Sequence, residues 1–231
     1  MADLINTKIV ISGGYAEVYY YSSGLLQGFK RKERIQEVTT NEEKRKRRYD
    51  SINRAKRNLK RIVLSNPDLN KFLTLTFKDN VKDLNEAHKE FKKFIMRLRY
   101  KRDSFKYIAV VEFQERGAVH YHILLNLKYI DNKQLANIWG HGFVKINRID
   151  HVDNLGAYIS KYLDKKFLDD RLNSRKAFFT SRDVKKPLEI TDQKVCQDFV
   201  NFYQLDKEKP LKTFSFSNEY TGNVLYKIYK I

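Results

Sequence analysis

The stretch that decides the reading is EFQERGAVHYHILLNL, residues 112–127. Its second half is apolar and β-branched enough for a buried strand, yet it carries two of the chain's five histidines, one residue apart. In a strand, residues two apart share a face, so His120 and His122 project together while Val119, Tyr121, Ile123 and Leu125 turn to the other side. The residues before it supply a carboxylate. A three-residue loop at Glu115-Arg116-Gly117, with the glycine left-handed, pairs 114 with 118 and sets Glu112 opposite His120. Directly opposed residues hold their Cβ atoms about 4.5–5.5 Å apart, close enough for one cation to sit among Glu112, His120 and His122. Two imidazoles and a carboxylate with no thiolate suit a divalent ion that keeps positions open for substrate oxygens, and Mn²⁺ or Mg²⁺ is the expectation. Gln114 shares the face as a fourth ligand or a hydrogen-bonding neighbour of the site.

Outward from this hairpin, the chain alternates strands with helices. KFLTLTF begins a strand after the break at SNPD (65–68); residues 83–100 place Leu84, Ala87, Phe91, Phe94, Ile95 and Leu98 on one helical side. KYIAVVEF and AVHYHILLNL are strands, followed by a helix near 131–139, a strand FVKINRI, and a helix from about 153 to 167. The order β-α-β-β-α-β-α predicts an α+β fold, an antiparallel sheet of about five strands with ferredoxin-like order, helices covering it.

The last helix carries a second kind of chemistry. DNLGAYISKYLDKK starts at Asp153, a residue suited to an N-cap, and Leu155, Ile159 and Leu163 form the stripe that faces the sheet. Tyr158 and Tyr162, four apart, point one way beside that stripe, each followed three residues later by a lysine, Lys161 and Lys165. A phenolate attacks a phosphodiester competently but needs a cation to form near neutral pH, and a lysine or a bound metal supplies one. Two packed phenols with satisfied hydroxyls are the plain alternative.

The flanks are basic. In NEEKRKRRYDSINRAKRNLKRIVL (41–64), Tyr49, Ile52, Leu59, Ile62 and Val63 make a thin apolar stripe. Ten cations fill the rest: Lys44, Arg45, Lys46, Arg47, Arg48, Arg54, Lys56, Arg57, Lys60 and Arg61. Residues 8–21 read as two strands around a Ser-Gly-Gly turn. After 170 the chain ends with a short helix near 191–203 and the strand-like KTFSFS and VLYKIYKI. The expected division is 1–66 as hairpin and basic helix packed on the core, 67–170 as the core, and 171–231 as an extension of the same domain.

Across 231 residues, 46 Lys and Arg stand against 28 Asp and Glu, a net charge of +18 that points to a polyanionic partner, nucleic acid by default. The single cysteine, Cys196, excludes a disulfide framework and a cysteine zinc site. There is no export signal and no run of about 18 apolar residues, so a cytoplasmic protein without a membrane span is expected.

Taken together, FLTLTF (72–77), HYH (120–122) and YISKY (158–162) resemble, in order and approximate spacing, the three motifs of rolling-circle replication initiators. These belong to the endonuclease superfamily named for its His-hydrophobic-His motif. The resemblance covers roughly residues 70–167, and the flanks look similar to initiators of small bacterial plasmids and single-stranded DNA phages. It implies a catalytic tyrosine helix after the last core strand and metal-dependent nicking and joining of single-stranded DNA through a 5′-phosphotyrosine. It also implies origin DNA, single-stranded or hairpin, as substrate, with a host helicase and polymerase as partners in a bacterial cell. No G-x-x-x-x-G-K-[ST] loop occurs, so no helicase domain is expected. A transposase or relaxase uses the same chemistry, although relaxases usually place the tyrosine before the histidines. A non-catalytic ferredoxin-like RNA-binding module is the reading from another class.

Overall fold

A computed structural model describes residues 3–27, 40–101, 104–149, 154–167, 170–172, 175–218 and 221–231. Among these residues are ten strands and five α-helices, forming an α+β chain with two antiparallel five-stranded sheets. The chain divides into two compact units: residues 1–39 with 186–231, and residues 40–185.

The second unit carries the motifs. Helix α1 (Asn41–Leu64) opens it with a capping box: the Glu43 amide donates to the Thr40 hydroxyl at 3.2 Å, and the Thr40 amide donates to the Glu43 carboxylate at 2.9 Å. Two of the otherwise orphaned donors at a helix start are thereby satisfied. Ile52, Leu59, Ile62 and Val63 are buried as their spacing predicts, but Tyr49 is 55% exposed and does not join the stripe. At position 49 the helix is still in its cation-rich first half, and its apolar anchoring begins only at Ile52.

Then follow β3 (Lys71–Thr76), α2 (Leu84–Lys101), β4 (Tyr107–Phe113), β5 (Val119–Leu125), α3 (Asn132–Trp139), β6 (Val144–Arg148), α4 (Leu155–Phe167) and the short β7 (Phe178–Thr180). The sheet order is β6-β3-β5-β4-β7, every neighbouring pair antiparallel. β3 and β4 are thus parallel with β5 between them, and α2 is the crossover; β5 and β6 are likewise parallel across β3, with α3 as crossover. Strand alternation separates two cores. Leu73, Leu75, Val111, Val119, Tyr121 and Ile123 pack under α2 and α3, while Phe72, Ile108, Val110 and Leu124 pack under α1 and α4.

Gly156 sets how closely α4 approaches α1. A Cβ at that position would lie 3.1 Å from the Lys60 Cα, so any side chain would push the two helices apart. Asp153 lies outside the described residues, and Asn154 caps α4, its side-chain oxygen accepting from the Ala157 amide at 2.9 Å.

The first unit holds β1 (Asp3–Ser12), β2 (Tyr15–Gln27), β8 (Leu188–Ile190), α5 (Gln193–Phe202), β9 (Lys212–Asn218) and β10 (Gly222–Lys230), in the sheet order β8-β1-β2-β10-β9. The N-terminal hairpin forms where the Ser-Gly-Gly turn predicts, Ser12 pairing with Tyr15. Its strands are then completed by the last third of the chain, while α1 is grouped with the motif-bearing unit. No element boundary in the sequence marks this grouping, because it depends on β10 pairing along β2, some two hundred residues away.

Candidate active site

β4 and β5 meet in the register expected from the loop. Glu112 is the direct cross-strand partner of His120. The loop closes with the Gln114 amide donating to the Ala118 carbonyl at 2.9 Å and the Gly117 amide to the Gln114 carbonyl at 2.8 Å. Gly117 sits at φ +89°, a conformation that side chains with a Cβ rarely adopt.

The Glu112 side chain runs diagonally to the other histidine. Its Oε2 lies 2.8 Å from His122 Nε2, and both residues are buried, at 8% and 7% exposure. A carboxylate at this distance only accepts, so Nε2 carries the proton. In the neutral ring Nδ1 then accepts, and the Thr74 hydroxyl lies 3.4 Å from it. His122 is therefore oriented from both sides of its ring, by β4 and by β3. His120 shares its face, the two ring centroids 6.0 Å apart.

Above them lies α4. The Tyr162 ring stacks on His122 with centroids 3.7 Å apart and planes 19° from parallel, and it lies 5.8 Å from Phe72 in a second stacked contact. Tyr158 meets Phe72 edge-on at 5.1 Å and Tyr162 at 6.4 Å. Lys161 Nζ sits 4.2 Å from the Tyr158 centroid and 5.0 Å from that of Tyr162, over both faces instead of beyond them. Lys165 falls within α4, but its side chain lies outside the described residues. Burial pushes the Tyr162 hydroxyl well above the usual phenol range; a hydrogen bond and charge coupling to Tyr158, and the Glu112 charge, push it further the same way.

The structure thus brings Glu112, His120, His122, Tyr158, Lys161 and Tyr162 to one face. Gln114 is engaged elsewhere: its Oε1 accepts from Arg116 Nε at 3.0 Å, and Arg116 also donates to the Phe77 carbonyl at 2.6 Å. A carboxylate and two imidazoles are donors a divalent ion takes. With Glu112 and His122 bonded to each other, however, the described residues hold no group of three or more His, Cys, Asp or Glu side chains arranged around an ion position. An ion at this face would replace the Glu112–His122 hydrogen bond and the Nε2 proton.

Three residues at the site escaped the sequence reading. Phe72 carries the packing of both tyrosines and His122, Thr74 reaches His122, and Lys145 stands exposed on β6 as the cross-strand partner of Thr74. The alternation in FLTLTF puts 72 and 74 on one face, which was readable; that this face belongs to the histidines follows only from the β3–β5 register, in which Thr74 pairs with His122.

Of the ten candidate nucleic-acid contacts on α1, Lys44, Arg45, Lys46, Arg47, Arg54, Arg57 and Lys60 are exposed, while Arg48, Lys56 and Arg61 are partly buried. No helix among the described residues is long and apolar enough to cross a membrane.

Residues 70–167, the span of both tyrosines and both histidines, match the model of a family of replication-associated proteins, the ORF2 type. The Phasyl DNA replicon protein arp of Escherichia coli is 44% identical over a stretch that covers 41% of this chain and 42% of that relative. No solved structure matches. Both similarities are to proteins of DNA replication, and they support a replication-associated role for this chain.

Proposed function

We propose that the chain is a replication initiator that nicks and rejoins single-stranded DNA at a specific site, starting and ending rolling-circle replication. The observation that carries this reading is the Glu112–His122–Tyr162 column, a carboxylate, an imidazole and a phenol in direct sequence across β4, β5 and α4. A purely structural tyrosine pair has no use for a buried carboxylate beneath it. The strand order β6-β3-β5-β4 with crossovers α2 and α3 supports a ferredoxin-like core with the tyrosine helix after its last strand.

Tyr158 is the first nucleophile in this reading. Tyr162 keeps its proton, for the reasons given above, and a phenol that donates a hydrogen bond to its neighbour favours the anion on that neighbour. Lys161, over the Tyr158 ring, adds a positive charge beside it. The phenolic oxygen bonds to phosphorus, the bond to the 3′-oxygen breaks, the phenol's proton leaves to solvent and the departing oxygen takes one up. The products are a 5′-phosphotyrosyl link and a 3′-hydroxyl that primes synthesis. The ester bond energy is retained, so the reverse attack rejoins the strand without a nucleotide. Tyr162 accepts the newly made strand at termination. Glu112, His120 and His122 would hold a Mn²⁺ or Mg²⁺ ion, which when bound supplies positive charge against the scissile phosphate. Origin DNA, single-stranded or as a hairpin, is the substrate, and a host helicase and polymerase extend the primer.

Incubation with a library of single-stranded oligonucleotides and Mn²⁺, followed by mass spectrometry of the denatured protein, tests this. A nucleotide adduct on a peptide containing residues 158–162 is expected; DNA binding without any adduct would reduce the chain to a binding module.

A further inference from the structure

The two units differ sharply in charge. Residues 1–39 with 186–231 hold twelve Lys and Arg against ten Asp and Glu, whereas residues 40–185 hold thirty-four against eighteen. Nearly all of the net +18 therefore lies in the motif-bearing unit, and the first unit is close to neutral. A surface built to follow phosphates would not be. Yet this near-neutral unit exposes large apolar side chains: Leu211 at 57%, Phe214 at 53% and Phe216 at 48%.

These three belong to one edge. In the order β8-β1-β2-β10-β9, the sheet ends at β8 on one side and β9 on the other. β8 is three residues long, a common way to blunt an edge. β9 is seven residues long, exposed at every position from Lys212 to Ser217, and paired with β10 without a bulge. Within KTFSFSN the only charge is Lys212 at its start. A long, regular, weakly charged edge with unpaired backbone groups is a template for another strand.

We infer that β9 is a self-association surface, pairing antiparallel with β9 of a second copy about a two-fold axis at Ser215. The strand is symmetric about that residue. Antiparallel pairing centred there sets Phe214 opposite the second copy's Phe216 and the reverse, giving two aromatic cross-strand pairs. Thr213 then faces Ser217, and Lys212 faces Asn218, so the two lysines never meet. Phe214 already stacks on Tyr226 of β10, centroids 6.0 Å apart, which holds one ring of each pair in place. The near-neutral charge of this unit leaves little repulsion to overcome. The apolar area is small, so the dimer belongs to the weak, concentration-dependent class. This inference stands independently of the nicking chemistry.

Sedimentation velocity on the full chain over a wide concentration range, without DNA, tests it, together with cysteine substitutions along β9. Concentration-dependent dimerisation is expected, weakened about tenfold or more in the F214S/F216S double variant, whose exposed positions leave the fold unchanged by circular dichroism. Under mild oxidation Ser215→Cys should give a covalent dimer rapidly, because identical residues on the axis face each other. Thr213→Cys and Ser217→Cys, each opposite a different residue, should cross-link far more slowly. A chain monomeric at all concentrations, or equal cross-linking at 213, 215 and 217, overturns the proposal. So does a double variant that loses affinity for oligo-dT while its oligomeric state is unchanged, since the phenylalanines would then be a base-stacking surface.

Discussion

Tyr162 lies flat on His122, ring centroids 3.7 Å apart, and His122 in turn is bonded to Glu112 at 2.8 Å, so α4 is tied to the sheet through a buried imidazole. His122→Ala removes the carboxylate's bond and one wall of the tyrosine's slot together. A loss of about 1–3 kcal/mol in unfolding free energy is expected, the range for leaving a buried polar group short of a partner. His120, only partly buried, should cost less on the same substitution. Urea denaturation measures both; equal, negligible losses would show that the column contributes nothing to stability.

The two tyrosines should separate by function. Tyr158→Phe should abolish the first covalent adduct on a single-stranded substrate, while Tyr162→Phe should still nick and fail in the strand transfer that ends a round. The double variant should bind DNA and form no adduct at all. Denaturing gels with protease digestion read these outcomes, and an adduct in the double variant would place the nucleophile off α4.

Alkaline pH should weaken the fold from about the ordinary phenol value upward. Burial pushes the hydroxyls of Tyr20, to about 12, and of Tyr121 and Tyr162 above their ordinary value. The native chain therefore keeps protons that the unfolded chain gives up above about pH 10. Their contribution is intact below that pH and is lost as pH rises towards the folded-state values. Melting temperatures between about pH 9 and pH 11.5 should fall, and Tyr162→Phe should flatten part of the fall; an unchanged profile in that variant would contradict the burial assigned to its hydroxyl.

DNA affinity should drop steeply with salt, since binding through lysine and arginine releases condensed counterions. Replacing Lys44, Arg45, Lys46 and Arg47 on the exposed start of α1 with glutamine should weaken binding to all sequences alike and lower the slope of log K against log salt by up to about 4. Fluorescence anisotropy with two unrelated oligonucleotides checks it. A sequence-selective loss would mean that these residues touch bases.

Local pattern alone determined much of this protein. The period-two alternation around His120 and His122, the helical stripe Leu155-Ile159-Leu163 and the glycine at 117 each encode their own geometry within a few residues. The element order of the motif-bearing unit and the pairing of Glu112 with His120 follow from them. Which histidine the carboxylate bonds did not, because strand pairing fixes Cα partners while the long Glu112 side chain chooses between a direct and a diagonal neighbour by packing. Phe72 and Thr74 joined the site only when β3 paired with β5, and Lys161 came to rest over the tyrosines only when α4 docked on the sheet. The separate five-stranded sheet was decided furthest from local pattern: β1, β2, β8, β9 and β10 come from opposite ends of the chain, and hydrogen bonds between residues some two hundred apart leave no periodicity in the sequence that could announce them.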